Sequence, residues 1–365
     1  MGTRIAIVCD AQPERNGVGS YYRDLADHLQ AEGEQVDLLA PDSGSAPLPH
    51  WLRLPLPGDR TQRLTVPAPH ALRQRLHTFR PDTVVIATPG PYGLLAARYA
   101  GALGARTVFG LHTDYAALST LYWGGVRARL NRWTLGAVNR HLLRSATAVV
   151  AISPRMQALA VAAGRADSRL LSTQLAPDFI QAPVTAPAPR LERILYVGRL
   201  AAEKRIARII EAAERLPQRQ FRVAGDGPLR GAVERAAVRL NNLEYLGWLP
   251  RDGVRDALDA HDLLLLPSAV EAFGTVVLEA LARGRIALAS AGCGIHGWPE
   301  LAAGVYRFEE DEHPARAIER LAALPGLERR RAAYQGREAA LAMHGRALAE
   351  WRAVLGEAPA VERAA

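Results

Sequence analysis

The sequence predicts two parallel α/β domains in tandem, and three observations predict them. Short apolar runs alternate with amphipathic stretches along most of the 365 residues, the pattern of βαβ units whose strands pair in parallel. The alternation pauses once, at APVTAPAPR (182–190), where prolines crowd a stretch without periodicity and so mark a linker. It then restarts, and a chain of this length can bury two cores.

In the first half the strand-like runs are IAIVCD (5–10), VDLLA (36–40), TVVIAT (83–88), RTVFGLH (106–112) and TAVVAI (147–152). Amphipathic segments such as GSYYRDLADHLQAEG lie between them. The segment from Pro41 to Pro69 carries seven prolines and reads either as a functional loop or as a disordered insertion. In the second half RILYVGRL, QFRVAGDG, LEYLGWLP, DLLLLPS and RIALASAGCG repeat the scheme. The helical tail from about 327 to 356 has no strand to pair with and is expected to pack back on the first domain. The expected division is therefore 1–181, a linker at 182–190, a second domain at 191–340, and a returning helix and tail at 341–365. Two such domains are expected to face one another across a cleft at the carboxyl ends of their strands, where open α/β sheets bind ligands.

Hydrophobic content is 49% and charged content 22%, ordinary for a soluble protein. No apolar run is long enough to span a bilayer, and IAIVCD reads as a strand and not as a signal peptide. Cys9 and Cys293 are the only cysteines and lack metal-ligand spacing. The expectation is a reduced, cytoplasmic protein with no metal site.

The net charge is +8, unevenly placed. No acid occurs from Arg60 to Pro81, which holds Arg60, Arg63, Arg73, Arg75 and Arg80, nor from Tyr115 to Ala166, which holds Arg127, Arg129, Arg132, Arg140, Arg144, Arg155 and Arg165. Such runs attract an anionic partner or form a solvated face. The second interleaves Trp133 and leucines with arginines, as an interfacial helix does. Nucleic acid is the weakest partner, because neither a helix-turn-helix pattern nor a stacking-aromatic module accompanies the arginines.

Two stretches carry chemistry. In GRLAAEKR (198–205), Arg199 and Lys204 follow a strand and precede a helix, and Lys204 is the only lysine of the chain. Two cations with loop N–H groups suit a diphosphate, and a compact ammonium fits where a planar guanidinium does not. A lysine kept by chance on a solvent face is the plain alternative. In PSAVEAFGTVVLEALARG (267–284), Thr275 can cap a helix that Gly284 can end, leaving the N–H groups of Phe273, Gly274 and Thr275 facing an anion. Glu279 lies among apolar neighbours, which costs energy unless it is hydrogen-bonded. It meets either a sugar diol or, at helical spacing, Arg283 or Arg285.

Glu271 and Glu279, separated by seven residues, with FG after the first and EALARG around the second, resemble the E-x7-E signature of retaining glycosyltransferases of family 4, which have the GT-B fold. GRLAAEK, AGDGP (224–228), GWLP (247–250) and LLLLPS follow that family's order. The resemblance implies that Arg199 and Lys204 bind the donor diphosphate and that Glu279 holds the ribose hydroxyls. It gives the donor sugar and phosphate to Glu271 and the N–H groups of Phe273, Gly274 and Thr275. Two departures stand out: EKR where the family has EKG, and an irregular SAGCGIHGWPEL. In the first domain, Asn16, Gly17, Val18 and Gly19 resemble the family's glycine-containing loop. His112 in LHTDY matches its active-site histidine, although such a residue is otherwise a helix cap or a satisfied polar group at a strand end.

The implied activity is retaining transfer of a hexose from a nucleoside-diphosphate sugar, UDP favoured over GDP, to an acceptor hydroxyl. It needs no cofactor or metal, because fixed cations stabilise the departing phosphate. The basic first domain resembles members that glycosylate membrane lipids. Arg127, Arg129, Arg132, Arg140 and Arg144, with Arg73 and Arg75, would then face anionic lipid and place the protein at the inner face of the plasma membrane. A soluble or saccharide acceptor is the alternative. In another class stand a sugar-nucleotide epimerase or a non-catalytic sugar-nucleotide-binding protein.

Overall fold

A computed structural model describes residues 2–13, 17–43, 47–56, 59–114 and 125–356, except the side chains of 56, 59, 60 and 125–132. The chain divides into two compact units: 1–56, 62–174 and 345–365 in one, 57–61 and 175–344 in the other.

The first unit runs β1 (Arg4–Val8), α1 (Gly17–Ala31), β2 (Gln35–Leu39), β3 (His50–Leu56), β4 (Asp59–Pro67), α2 (Pro69–Phe79), β5 (Thr83–Ile86), α3 (Pro91–Leu103), β6 (Arg106–Leu111), α4 (Gly125–Ser145), β7 (Ala148–Ala151), α5 (Pro154–Ala162) and β8 (Arg169–Leu170). Its six-stranded sheet has the order β2-β1-β5-β6-β7-β8, and every pair is parallel. Buried along their whole length, β5 and β6 show no alternation of apolar and polar residues. Proline opens α2, α3 and α5 at positions where a backbone N–H would have no intrahelical acceptor. Gly104, at φ 66°, closes α3 with its N–H on the Ala100 carbonyl.

Over its described residues the proline-rich stretch is strand rather than a disordered insertion: β3 and β4 form a two-stranded sheet of their own. The alternation in HWLRLPL and the β-formers Thr61, Thr65 and Val66 supply the strand pattern. The prolines alone suggest otherwise, but at a sheet edge they cost no ladder bond.

The second unit runs α6 (Pro177–Gln181), β9 (Arg193–Val197), α7 (Ile206–Arg215), β10 (Gln220–Ala224), α8 (Arg230–Arg239), β11 (Leu243–Gly247), α9 (Arg251–Asp259), β12 (Leu263–Leu266), α10 (Thr275–Ala282), β13 (Ile286–Ser290), β14 (Val305–Phe308), α11 (Pro314–Ala322) and α12 (Gly326–Gly356). Its parallel sheet has the order β11-β10-β9-β12-β13-β14. From β9 the chain winds outward through β10 and β11 and then restarts on the other side at β12. The topological switch point therefore lies between the carboxyl ends of β9 and β12, the position where such sheets take ligands.

Arg283 fastens the segment entering this unit. Its side chain is wholly buried against Asp259, with Nε–Oδ1 at 2.9 Å and Nη2–Oδ2 at 2.6 Å. Its remaining N–H groups reach the carbonyls of Phe179, Ala182 and Pro183. Arg285 bonds the Thr185 carbonyl at 3.0 Å and the Asp259 carbonyl at 2.8 Å. Asp259 and these carbonyls, rather than Glu279, take up both guanidinium groups.

The tail is one helix, α12, of 31 residues. Its residues up to 344 group with the second unit and those from 345 with the first. There Trp351 is fully buried, its Nε1 donates to Tyr21 Oη at 2.9 Å, and the Val354 carbonyl accepts from Arg106.

Candidate active site

Two loops at the carboxyl ends of β9 and β10 lie backbone against backbone. Leu200 N donates to the Asp226 carbonyl at 2.9 Å and Gly198 N to the Ala224 carbonyl at 3.1 Å. A Cβ on Gly225, at φ 141°, would come within 1.9 Å of the Gly198 carbonyl oxygen. Glycine is required there both by space and by backbone conformation. The Tyr196 hydroxyl donates to the Arg199 carbonyl at 2.8 Å and fixes the turn from which Arg199 projects.

Lys204 ends a short 3₁₀ turn over Ala202–Lys204. Its ammonium is ion-paired with Glu271 from the loop after β12; the two side chains are 17% and 19% exposed. Burial would lower the Lys204 pKa, but the Glu271 and Glu203 carboxylates outweigh it and hold the pKa above its usual value. Arg199 lies 3.6 Å from Glu203, which is buried, and the Glu203 carbonyl takes the Ala269 N–H at 2.7 Å. Sequence reasoning missed Glu203; its i,i+4 spacing from Arg199 was the available signal. Arg205 stands where the resembled family has glycine, and it is left-handed at φ 50°. The position therefore selects for glycine, and arginine there costs about 1 kcal/mol. Its side chain pairs with Glu310.

Glu271 is placed by a third loop. Gly294 N donates to the Glu271 carbonyl at 2.9 Å, and the Cys293 thiol reaches the Phe273 carbonyl at 3.2 Å. A Cβ on Gly294 would meet the Ala272 carbonyl oxygen at 1.9 Å. The irregular SAGCG stretch is thus what lets the two loops run side by side.

The N-cap of α10 is Gly274, at φ 97°, and Thr275 is already the first helical residue. Thr275 does not cap this helix, because a Cβ at the cap position would press on the Cys293 sulfur at 2.9 Å and only glycine fits. As at any helix start, the first N–H groups have no intrahelical acceptor. The Phe273 ring is buried and edge-on to Trp298, so only its backbone can serve a ligand. Glu279 is half-buried on α10, and Gly284, at φ 65°, follows the helix end.

In the first unit Asn16 lies outside the described residues. Gly17 opens α1, and a Cβ at that position would meet nothing within 4 Å, so a side chain would be accommodated. Gly19 is the crowded one: a Cβ there would stand 2.5 Å from the Gln12 carbonyl oxygen. His112, just past β6, is 5% exposed and its Nε2 lies 2.7 Å from Tyr22 Oη. Burial pushes its pKa down to about 3, so the ring is neutral near pH 7. Asp10 went unnoticed in the sequence. Its carboxylate takes the Thr88 hydroxyl at 2.7 Å and the N–H groups of Gly90 and Tyr92 at 3.0 and 2.8 Å. It thereby caps α3 from the bend after β1, a partnership that local patterning does not reveal.

The basic runs are less free than the sequence suggests. Arg75 forks onto Asp37 at 2.7 and 3.1 Å, and Arg155 reaches Asp114 at 2.9 Å. Arg73, Arg140 and Arg144 are exposed, and the side chains of Arg127, Arg129 and Arg132 lie outside the described residues. Among the described residues no helix is long and apolar enough to cross a membrane.

The fold is that of the GT-B glycosyltransferases. Sucrose-phosphate synthase from Thermosynechococcus elongatus matches 97% of this chain and 98% of its own at TM-score 0.72 and 20% identity. Anabaena HepE, solved with UDP and glucose, matches 98% and 100% at TM-score 0.70 and 16% identity. The family model for Glycosyltransferase Family 4 matches residues 15–171, and that for Glycosyl transferases group 1 matches 181–339; the chain belongs to this family of glycosyltransferases. Among curated relatives, a GDP-mannose-dependent alpha-mannosyltransferase of Mycolicibacterium smegmatis is 29% identical over 77% of this chain and 78% of its own. A GDP-mannose-dependent alpha-(1-6)-phosphatidylinositol dimannoside mannosyltransferase of Mycobacterium tuberculosis is 32% identical over 45% of this chain and 43% of its own.

Proposed function

We propose that the protein is a retaining glycosyltransferase that moves a hexose from a nucleoside-diphosphate sugar to an acceptor hydroxyl, with a membrane lipid as acceptor. The observation that carries the reading is the convergence of Arg199, Lys204, Glu271 and the start of α10 around one switch point. As the nucleoside diphosphate leaves, charge grows on its β-phosphate. Arg199, Lys204 and the first N–H groups of α10 stabilise that charge, which is work a metal does elsewhere. Glu271 keeps Lys204 charged and aimed, and Glu279 holds the ribose hydroxyls.

Frequency within the resembled family favours UDP, whereas the two mycobacterial relatives depend on GDP-mannose. The relative acting on phosphatidylinositol dimannoside and the exposed Arg73, Arg140 and Arg144 support a lipid acceptor.

The test is a thermal-shift screen with UDP, GDP, ADP and their common sugar conjugates, since a ligand of the native state stabilises it by mass action. One nucleotide should stabilise wild type, and Glu279→Ala should lose most of that shift. Product analysis with anionic lipid vesicles follows for acceptor and anomeric configuration. A protein that no nucleotide stabilises would sink the transferase reading; hydrolysis or epimerisation without acceptor would favour the other class.

A further inference from the structure

His112 sits in an aromatic box. The rings of Tyr21 and Tyr22 stand edge-on to it with centroids at 4.7 and 4.9 Å. Tyr22 in turn meets Trp351 edge-on at 6.2 Å, and Trp351 holds the Tyr21 hydroxyl. All three aromatic side chains are buried, and two of them pack directly against the imidazole. Room for the Tyr22 hydroxyl comes from Gly110, two residues before His112 on the same face of the strand. A Cβ there would lie 1.9 Å from that hydroxyl and 2.8 Å from His112 Nε2.

The direction of the 2.7 Å bond follows from chemistry. Tyr22 is fully buried, and among the described residues its hydroxyl meets no acceptor other than His112 Nε2. A buried O–H must donate somewhere, and a phenol is the better donor of the pair while an imidazole nitrogen is the better acceptor. The ring is then protonated on Nδ1.

We propose that Tyr22 is a positioning residue for His112, its hydroxyl holding the imidazole as the Nδ1–H tautomer so that Nδ1 is presented as a hydrogen-bond donor to an oxygen of the sugar-nucleotide substrate. This rests on the reading of His112 as a substrate contact. The tautomer is set by the hydrogen bond on the other nitrogen, as is general for functional histidines.

The experiment uses the full chain labelled with ¹⁵N-histidine, with the His112 signals identified by their loss in His112→Asn. Two-bond ¹H–¹⁵N correlations of wild type at pH 7 should show Nδ1 protonated and Nε2 bare. In Tyr22→Phe the tautomer should shift or become mixed, with kcat for transfer down about tenfold and KM for the donor little changed. A wild-type ring protonated on Nε2 overturns the proposal without any variant having to fold, and so does a Tyr22→Phe spectrum identical to wild type. Full activity in His112→Asn would instead remove the substrate-contact reading on which the proposal stands, whatever the tautomer.

Discussion

Lys204 and Glu271, 67 positions apart in sequence, meet as an ion pair across the switch point of the second sheet. The pair gives a physical answer to why one lysine survives among arginines. At 17% exposure the Lys204 side chain has room for an ammonium, whereas a guanidinium carries a planar fork with five N–H groups to satisfy. Lys204→Arg is therefore expected to lower kcat/KM by about tenfold or more, and Lys204→Gln by more again. Steady-state kinetics with the donor identified by thermal shift checks this. Wild-type kinetics in Lys204→Arg would mean that the lysine is there by chance.

Acid should weaken the first unit through His112. Its ring faces Tyr21 and Tyr22, whose phenols burial holds above their usual pKa and so neutral. The unfolded histidine takes a proton near its ordinary 6.5, while the native one resists until about 3. Between those values the unfolded state binds the extra proton, so this contribution is intact above pH 6.5 and is lost as pH falls. The slope is up to about 1.4 kcal/mol per pH unit. Urea unfolding at several pH values should give His112→Gln a shallower acid-side loss than wild type. Equal slopes would contradict the buried neutral ring.

Removing Arg283 should be expensive. The guanidinium is fully buried and serves Asp259 together with the carbonyls of Phe179, Ala182 and Pro183. Arg283→Met strands these acceptors and is expected to destabilise the second unit by about 3 kcal/mol. Equilibrium denaturation measures it, and a change below about 1 kcal/mol would show that water replaces the lost donors.

Gly225→Ala probes the interleaved loops. The new methyl would collide with the Gly198 carbonyl at a backbone angle that disfavours any side chain. A loss of about 2–4 kcal/mol is expected, together with a weakened nucleotide-induced thermal shift, because the turn bearing Arg199 must move. A stable variant with an unchanged shift would detach this turn from binding.

The strands and the two parallel sheets were legible because buried parallel strands are continuous apolar runs, as in Leu263–Leu266. The switch-point residues were legible because loops that follow strands carry them. What escaped had its cause far away in sequence. The β3–β4 sheet was hidden by prolines that an edge strand tolerates. Asp10 acts on a helix some eighty residues later, and Arg75 finds its acid in β2. The Thr275 cap failed because Cys293, on another loop, leaves only a glycine-sized space. The glycine-to-arginine departure at 205 was visible, but its left-handed backbone was not.

The single helix α12 carries a consequence for synthesis. The first unit's core is completed by Trp351 and by the Val354 carbonyl that accepts from Arg106, residues translated after the whole of the second unit. While the ribosome makes residues 175–344, the first unit must wait with Tyr21, Tyr22 and Arg106 lacking those partners. Its nascent form is then a natural client for chaperones, and cutting the chain at the linker yields an unfinished first domain rather than an independent one.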